Sequence, residues 1–194
     1  MKDPALIFLG AFLVNNIILM RFLGLCPFFG VSTAVKTATG MGMAVIFVMT
    51  LASWITWIVY HAILLPFDLV FLRTATFILT IASLVQLVEM FLKKSFRTLY
   101  NALGIYLPLI TTNCAILGIT FLNIDNKFSL LNGTVFAIGT GFGFTLVIIT
   151  FAAIRERLDL APINPSMRGY PISFIAASLM ALAFLGFSGL FGLT

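Results

Sequence analysis

The sequence predicts an all-α polytopic membrane protein, with six transmembrane helices arranged as an inverted 3+3 repeat and helices 1 and 4 broken near two cysteine motifs. Three observations carry this expectation. Of 194 residues, 61% are hydrophobic and only 9% charged, and the mean hydropathy is +1.17, whereas soluble domains are roughly half apolar and a quarter charged. The apolar runs are long and continuous, which fits helices rather than the alternating strands of a barrel, the other backbone that satisfies itself in lipid. Finally, motif pairs recur in the same order in the two halves of the chain.

The spans fall at roughly 5–33, 39–64, 70–92, 98–121, 131–153 and 172–192. At roughly 20 to 25 residues each they nearly fill the chain, which makes 1–194 a single membrane domain without room for a soluble catalytic one. The opening MKDPALIFLGAFLVNN could pass for a signal peptide, and LGLC for a lipoprotein cleavage box. Leu25 before the cysteine is not small, however, and Asp3 offsets Lys2, so this segment is read as the first span. That span is too long for one straight helix, since about 29 residues at 1.5 Å each exceed the ~30 Å hydrocarbon core by some 13 Å. It must tilt or break. Pro27 lacks an amide proton and crowds the carbonyl of Leu23, and Gly24 and Gly30 weaken the helix further, so the break is expected around Cys26. Span 4 carries its own interruption, Pro108 followed by Thr111, Thr112 and Asn113 just before Cys114.

The net charge of +5 and pI near 9.6 do not point to nucleic acid, because the basic residues sit at span ends rather than in a patch. Connections 1-2, 3-4 and 5-6 hold Lys36; Lys93, Lys94 and Arg97; and Arg155, Arg157 and Arg168. The opposite side holds Lys2, Arg73 and Lys127. The positive side faces the cytoplasm, so both termini are expected outside.

The repeat emerges from paired motifs. Cys26 and Cys114 each open a C-x-x-x-G-[VI] pattern, Gly40-Met41-Gly42 is echoed by Gly139-Thr140-Gly141, and Arg73 with Ala82-Ser83-Leu84 by Arg168 with Ala177-Ser178-Leu179, at offsets of 88, 99 and 95. Three spans per repeat is an odd number, so halves of roughly 1–95 and 96–194 must enter the membrane from opposite sides. Related broken helices then meet at mid-depth around a pseudo-two-fold axis.

Three readings of the cysteine pair stand at this point. The thiols are buried small hydrophobes, or they form a disulfide, disfavoured because neither lies in an external loop, or they ligate iron. Two thiolates are too few for a cluster held by four, so the last reading requires a second subunit. Carboxylates are scarce within the spans. Glu89 alone lies inside one, four residues before Lys93, as in an ordinary helix-end ion pair. Arg21 lies inside span 1 and is read either as an offset to a negatively charged site or as a snorkelling side chain. His61, beyond Trp54, Trp57 and Tyr60, belongs to an interfacial belt. Connection 5-6, AAIRERLDLAPINPSMRG, reads as a solvated loop with a helix-end charge cluster.

FLGLCPFFGVS, YNALGIYLPLITTNCAILGI, AAIRERL and SLMALAFLGFSGL together resemble the RnfA family, membrane subunits of the Rnf electron-transport complex, along almost the whole chain. The E component of the sodium-pumping NADH:quinone oxidoreductase looks similar but less close. The resemblance implies a six-helix subunit of the bacterial or archaeal cytoplasmic membrane that pairs with its inverted homologue, the E component of the Rnf complex, alongside components D, G, B and C. Each of the pair contributes two cysteines, here Cys26 and Cys114, to an intramembrane [2Fe-2S] cluster. It further implies electron transfer between ferredoxin and NAD coupled to Na⁺ or H⁺ movement. Thr112 and Asn113, with Thr111, are expected donors to the cluster sulfurs. The rival reading is a small-solute secondary transporter, which inverted repeats with broken helices also suggest; a structural membrane anchor with inert cysteines is a third.

Overall fold

A computed structural model describes residues 3–67, 70–95, 108–111, 113–162 and 164–187, which are helical with short connections. Helix α1 (Pro4–Leu9) opens into a wide π-turn over Gly10–Val14. The chain is then irregular until α2 (Leu25–Val31). Helix α3 (Val35–Val59) also ends in a π-turn, Tyr60–Leu64. After it come α4 (Arg73–Ser95), the single turn α5 (Pro108–Thr111), α6 (Cys114–Asp125), α7 (Leu130–Leu160) and α8 (Tyr170–Leu185).

Val35–Leu64, Arg73–Met90 and Leu130–Leu160 are long and apolar enough to cross a membrane, and they correspond to expected spans 2, 3 and 5. Pro4–Val14, Cys114–Asp125 and Tyr170–Leu185 are apolar but shorter, and they overlap expected spans 1, 4 and 6. Span 5 ends later than its hydropathy suggests. AAIRERL is not a loop but part of the last turns of the 31-residue α7, and apart from Ile154 it is built from Ala, Arg, Glu and Leu, all good helix formers.

The core is the antiparallel pair α3 and α7. Lipid is as apolar as leucine, so helices in a membrane associate through close backbone approach and interhelical hydrogen bonds, which favours small residues at the contact. Methyl groups at Gly42 and Gly141 would lie 2.7 Å from Thr145 Oγ1 and 2.9 Å from Ile46 Cγ1, so the absent side chains are what admit the neighbouring helix. On a second face of α7, Gly139 and Gly143 take up the backbone of α1 and its π-turn, where methyl groups would stand 3.0 Å from the Phe8 carbonyl and 2.7 Å from that of Phe12. At the far end of α3 the Trp54 indole donates to Thr134 Oγ1 at 2.7 Å, and Trp57 donates to the Phe128 carbonyl at 3.2 Å. His61 stacks on Trp57 with ring centroids 4.0 Å apart, completing an aromatic group at this end.

Candidate functional site

The break in the first expected span precedes the cysteine. Asn16, fully buried, stops the π-turn from resuming as a helix: its Oδ1 accepts from the Ile18 amide at 3.1 Å and its Nδ2 donates to the Gly143 carbonyl at 3.0 Å. The irregular segment ends at Gly24, whose φ of +85° is left-handed, a region that costs an L-residue roughly 1–2 kcal/mol. The new helix α2 begins at Leu25. Pro27 is therefore in a first turn, where a missing N–H costs little. It accompanies the break without causing it, because the left-handed glycine and the asparagine have already redirected the chain.

Asn113 does for the second cysteine what Gly24 and Asn16 do for the first. It is the N-cap of α6, with extended backbone (φ −74°, ψ 109°), and its Oδ1 accepts from the Ala115 amide at 3.0 Å. Replacing such a cap by alanine costs about 1 kcal/mol. Cys114 is the first residue of α6 and Cys26 the second of α2. Each thiol thus stands in the first turn of a half-helix, where unpaired backbone amides gather and the helix end is positive.

The two half-helices meet. A methyl group at Gly24 would lie 3.1 Å from Ala115 Cβ, 3.1 Å from Phe144 Cε2 and 3.2 Å from Asn113 Oδ1. One at Gly30 would touch Leu109 at 3.4 Å, and one at Gly118 would come within 2.6 Å of Leu23. As residues advance from 23 to 30, their partners retreat from 118 to 109. In that antiparallel register the starts of α2 and α6 come together, with Gly24 level with the 113–115 stretch that contains Cys114.

Both cysteines are free thiols, Cys26 exposed on the surface of the chain and Cys114 half-buried. They are therefore neither a disulfide nor a pair of core hydrophobes. Among the described residues no three His, Cys, Asp or Glu side chains gather as a metal set, so the pair is at most half of a four-ligand site. Of the expected donors, Asn113 is at the break and 3% exposed, and its buried Nδ2 has no hydrogen-bond partner among the described residues. Thr112 lies outside the described residues, and only the backbone of Thr111 is described, as the end of α5. Arg21, which sequence placed inside a span, is exposed in the irregular segment before Phe22, itself left-handed at φ 54°.

Sequence reasoning missed Arg155 and Glu156 as participants. Arg155 Nη1 donates at 2.9 Å to the Phe29 carbonyl near the end of α2 and at 2.9 Å to Ser32 Oγ just after it. Glu156 Oε1 accepts from the Val35 amide at 2.9 Å, the first of α3. A signal for this was present, since Ala34, the N-cap of α3, has no side-chain group to offer that helix.

Continuous helices tight enough to exclude side chains, packed beside two short half-helices that each carry a cysteine in the first turn, define a polytopic membrane protein with two interrupted helices. The chain belongs to the Rnf-Nqr family of membrane subunits, whose model matches residues 5–191. The A component of an ion-translocating oxidoreductase complex from Syntrophotalea carbinolica is 56% identical over 98% of this chain and 98% of its own length. The corresponding component of the Na⁺-translocating ferredoxin:NAD⁺ oxidoreductase complex of Acetobacterium woodii is 55% identical, covering 95% and 96%. That of an ion-translocating oxidoreductase complex from Photorhabdus laumondii is 54% identical over 98% of each chain.

Proposed function

We propose that this chain is the subunit of an ion-translocating ferredoxin:NAD⁺ oxidoreductase complex that relays electrons across the cytoplasmic membrane, contributing Cys26 and Cys114 to a [2Fe-2S] cluster completed by two cysteines of an inverted homologous subunit. The observation that carries this reading is the meeting of two cysteine-bearing half-helices at their starts, with both thiols free, Cys26 exposed and Cys114 half-buried. Relatives above 50% identity over nearly the whole chain are named for redox-driven ion translocation, which supports the same assignment.

A six-span inverted repeat accounts for the packing. The contact of Gly42 with Thr145 and that of Gly141 with Ile46 exchange with each other under the offset of 99 seen in the sequence, as a pseudo-two-fold axis between α3 and α7 requires. The chain also runs antiparallel through the two breaks, with Gly24 against Asn113 and Ala115 and Gly30 against Leu109. Sidedness fits too, because Arg155 and Glu156 meet the start of α3, while Arg73 and Asp125 pair at the other end. With the first group in the cytoplasm, both termini lie outside.

The residues present fit such a cluster. Two free thiols supply half of a four-cysteine set, and the orphaned Asn113 Nδ2 is a buried donor of the kind that needs a partner. When bound, the cluster supplies a one-electron carrier that divides the membrane's thickness into two shorter transfers. The chain's own part is to hold and tune. Cys26 and Cys114 bind, Asn113 offers an N–H that favours a more negative sulfur, and Ala115 and Phe144 close around Gly24 against water. Thr112 is proposed as a second donor. The E component is the proposed cluster partner, with components D, G, B and C completing the complex that moves Na⁺ or H⁺.

A solute transporter needs polar groups converging on a pocket. Among the described residues, a cavity of about 140 Å³ between the irregular segment, α2 and α8 is walled mainly by Ile18, Leu19, Phe22, Phe28 and Phe174, a lining that offers a polar solute little.

The test is low-temperature EPR with iron quantitation on the dithionite-reduced membrane subcomplex and its Cys26→Ala and Cys114→Ala forms. The expected result is a [2Fe-2S] signal lost in both variants. An assembled subcomplex without iron, or a signal indifferent to both substitutions, overturns the reading. Asn113→Leu should shift the midpoint potential to a more negative value, and an unchanged potential removes Asn113 from the role of donor.

A further inference from the structure

The half-helix that carries Cys26 is held at both ends by other parts of the chain. Helix α2 has only seven residues, too few for a helix to persist on its own, and an irregular segment precedes it. At its start Gly24 is seated against Asn113 and Ala115. Along its side Phe28, fully buried, stacks on Phe151 of α7 with centroids 4.1 Å apart. Phe29 meets the same ring edge-on at 5.6 Å and Phe174 of α8 at 4.4 Å. At its end Arg155, one turn beyond Phe151 on α7, donates to the Phe29 carbonyl and to Ser32 Oγ, with its guanidinium 5.8 Å from the Phe151 ring.

Adjacent charges of opposite sign complete this arrangement. Arg155 meets the carbonyl end of α2, where positive charge is favoured, and Glu156 meets the amide end of α3, where negative charge is favoured. One dipeptide on the longest helix therefore satisfies both helix ends at the α2–α3 corner. Phe29 follows Cys26 by three residues, nearly one turn, so a shift of the gripped carbonyl moves the thiol with it.

We infer that Arg155 is a positioning residue for Cys26: its two hydrogen bonds, backed by Glu156 on the next helix, tie the thiol-bearing half-helix α2 to α7. The role of that position in electron relay rests on the function proposed above; the tie itself does not. Arg155 acts on the site only through α2.

Two measurements on the assembled complex test this, and they fail separately. In a Cys114→Ala background, where the proposed cluster is lost and Cys26 is a free thiol under either reading, maleimide alkylation of Cys26 is timed with Arg155, Arg155→Gln and Arg155→Lys. The expected result is a several-fold change in rate for Arg155→Gln, largely reversed by lysine, which keeps a charged donor. In the complex with both cysteines, Arg155→Gln is expected to alter the cluster's EPR line shape and shift its midpoint potential, with iron retained. Ser32→Ala, which removes one acceptor and leaves the charge, should give a smaller change of line shape and serves if Arg155→Gln does not assemble. Unchanged alkylation in Arg155→Gln, or an iron-loaded Arg155→Gln complex with unaltered line shape and potential, overturns the assignment. Complete absence of iron from the unmodified complex overturns the electron-relay reading and leaves the alkylation result to decide the role of Arg155.

Discussion

Helices α3 and α7 and half-helices α2 and α6 solve opposite problems with the same residue. On α3 and α7, Gly42 and Gly141 keep ordinary helical backbone and are needed only for the space they leave. At the site, Gly24 is needed for space and for conformation, being left-handed and pressed on three sides. The first use brings two continuous helices close enough to hold together where lipid gives no hydrophobic drive. The second ends one helix and starts another inside the protein. The packing scaffold and the proposed site thus lie in neighbouring but different elements, joined by Phe144 of α7, which packs against Gly24, and by Asn16, which bonds to Gly143.

Substitutions at the two kinds of glycine should separate these roles. Gly24→Val combines the left-handed strain of roughly 1–2 kcal/mol with overpacking of about 1–3 kcal/mol, the largest effect expected. It should abolish iron binding in the purified complex while α3 and α7 keep their helix content by circular dichroism. Gly141→Val forces Ile46 away at a cost of about 1–3 kcal/mol without touching the half-helices. It should lower the thermal midpoint and the yield, yet leave iron per folded molecule unchanged. If Gly24→Val unfolds the whole bundle, or Gly141→Val strips iron from molecules that stay folded, the division between scaffold and site collapses.

How far the sequence reveals this follows the same line. Hydropathy located the long spans because membrane thickness fixes their length and apolar character. It misjudged where α7 ends because charge marks the edge of the lipid, whereas helix propensity carries Ala152 to Leu160 onward as helix. The cysteines and Asn113 were legible as candidates, since a polar triplet before a cysteine in an apolar run has few ordinary explanations. The break is expected around Cys26, with Pro27 as the main signal and Gly24 and Gly30 as weak points, because proline announces a break in any context. Gly24 does so only once its left-handed backbone and its neighbours from α6 and α7 are known. Arg155 and Glu156 were missed for a related reason: the one hint, the capless Ala34, lies far along the chain, their partners are 126 and 121 residues away, and nothing local distinguishes them from any charged helix end.

The smallest expected effect belongs to a third kind of contact, remote from the glycines of both regions. Arg73 Nη1 donates to Asp125 Oδ1 at 2.8 Å, joining the start of α4 to the end of α6, and its guanidinium lies 4.7 Å from the centre of the Phe121 ring. Each charge sits at the helix end that disfavours it, positive at an amide end and negative at a carbonyl end, so each partner relieves the other. The side chains are 26% and 55% exposed, which weakens the attraction through solvent screening. Asp125→Asn should therefore cost at most about 1 kcal/mol. Because α6 begins at Cys114 and ends at Asp125, this substitution also asks whether the half-helix transmits a disturbance from one end to the other. A rigid α6 capped by Asn113 predicts an unchanged EPR line shape in Asp125→Asn with only a slight fall in thermal midpoint. An altered spectrum would mean that α6 slides as a unit, and that the site is held from its far end as well as by its cap.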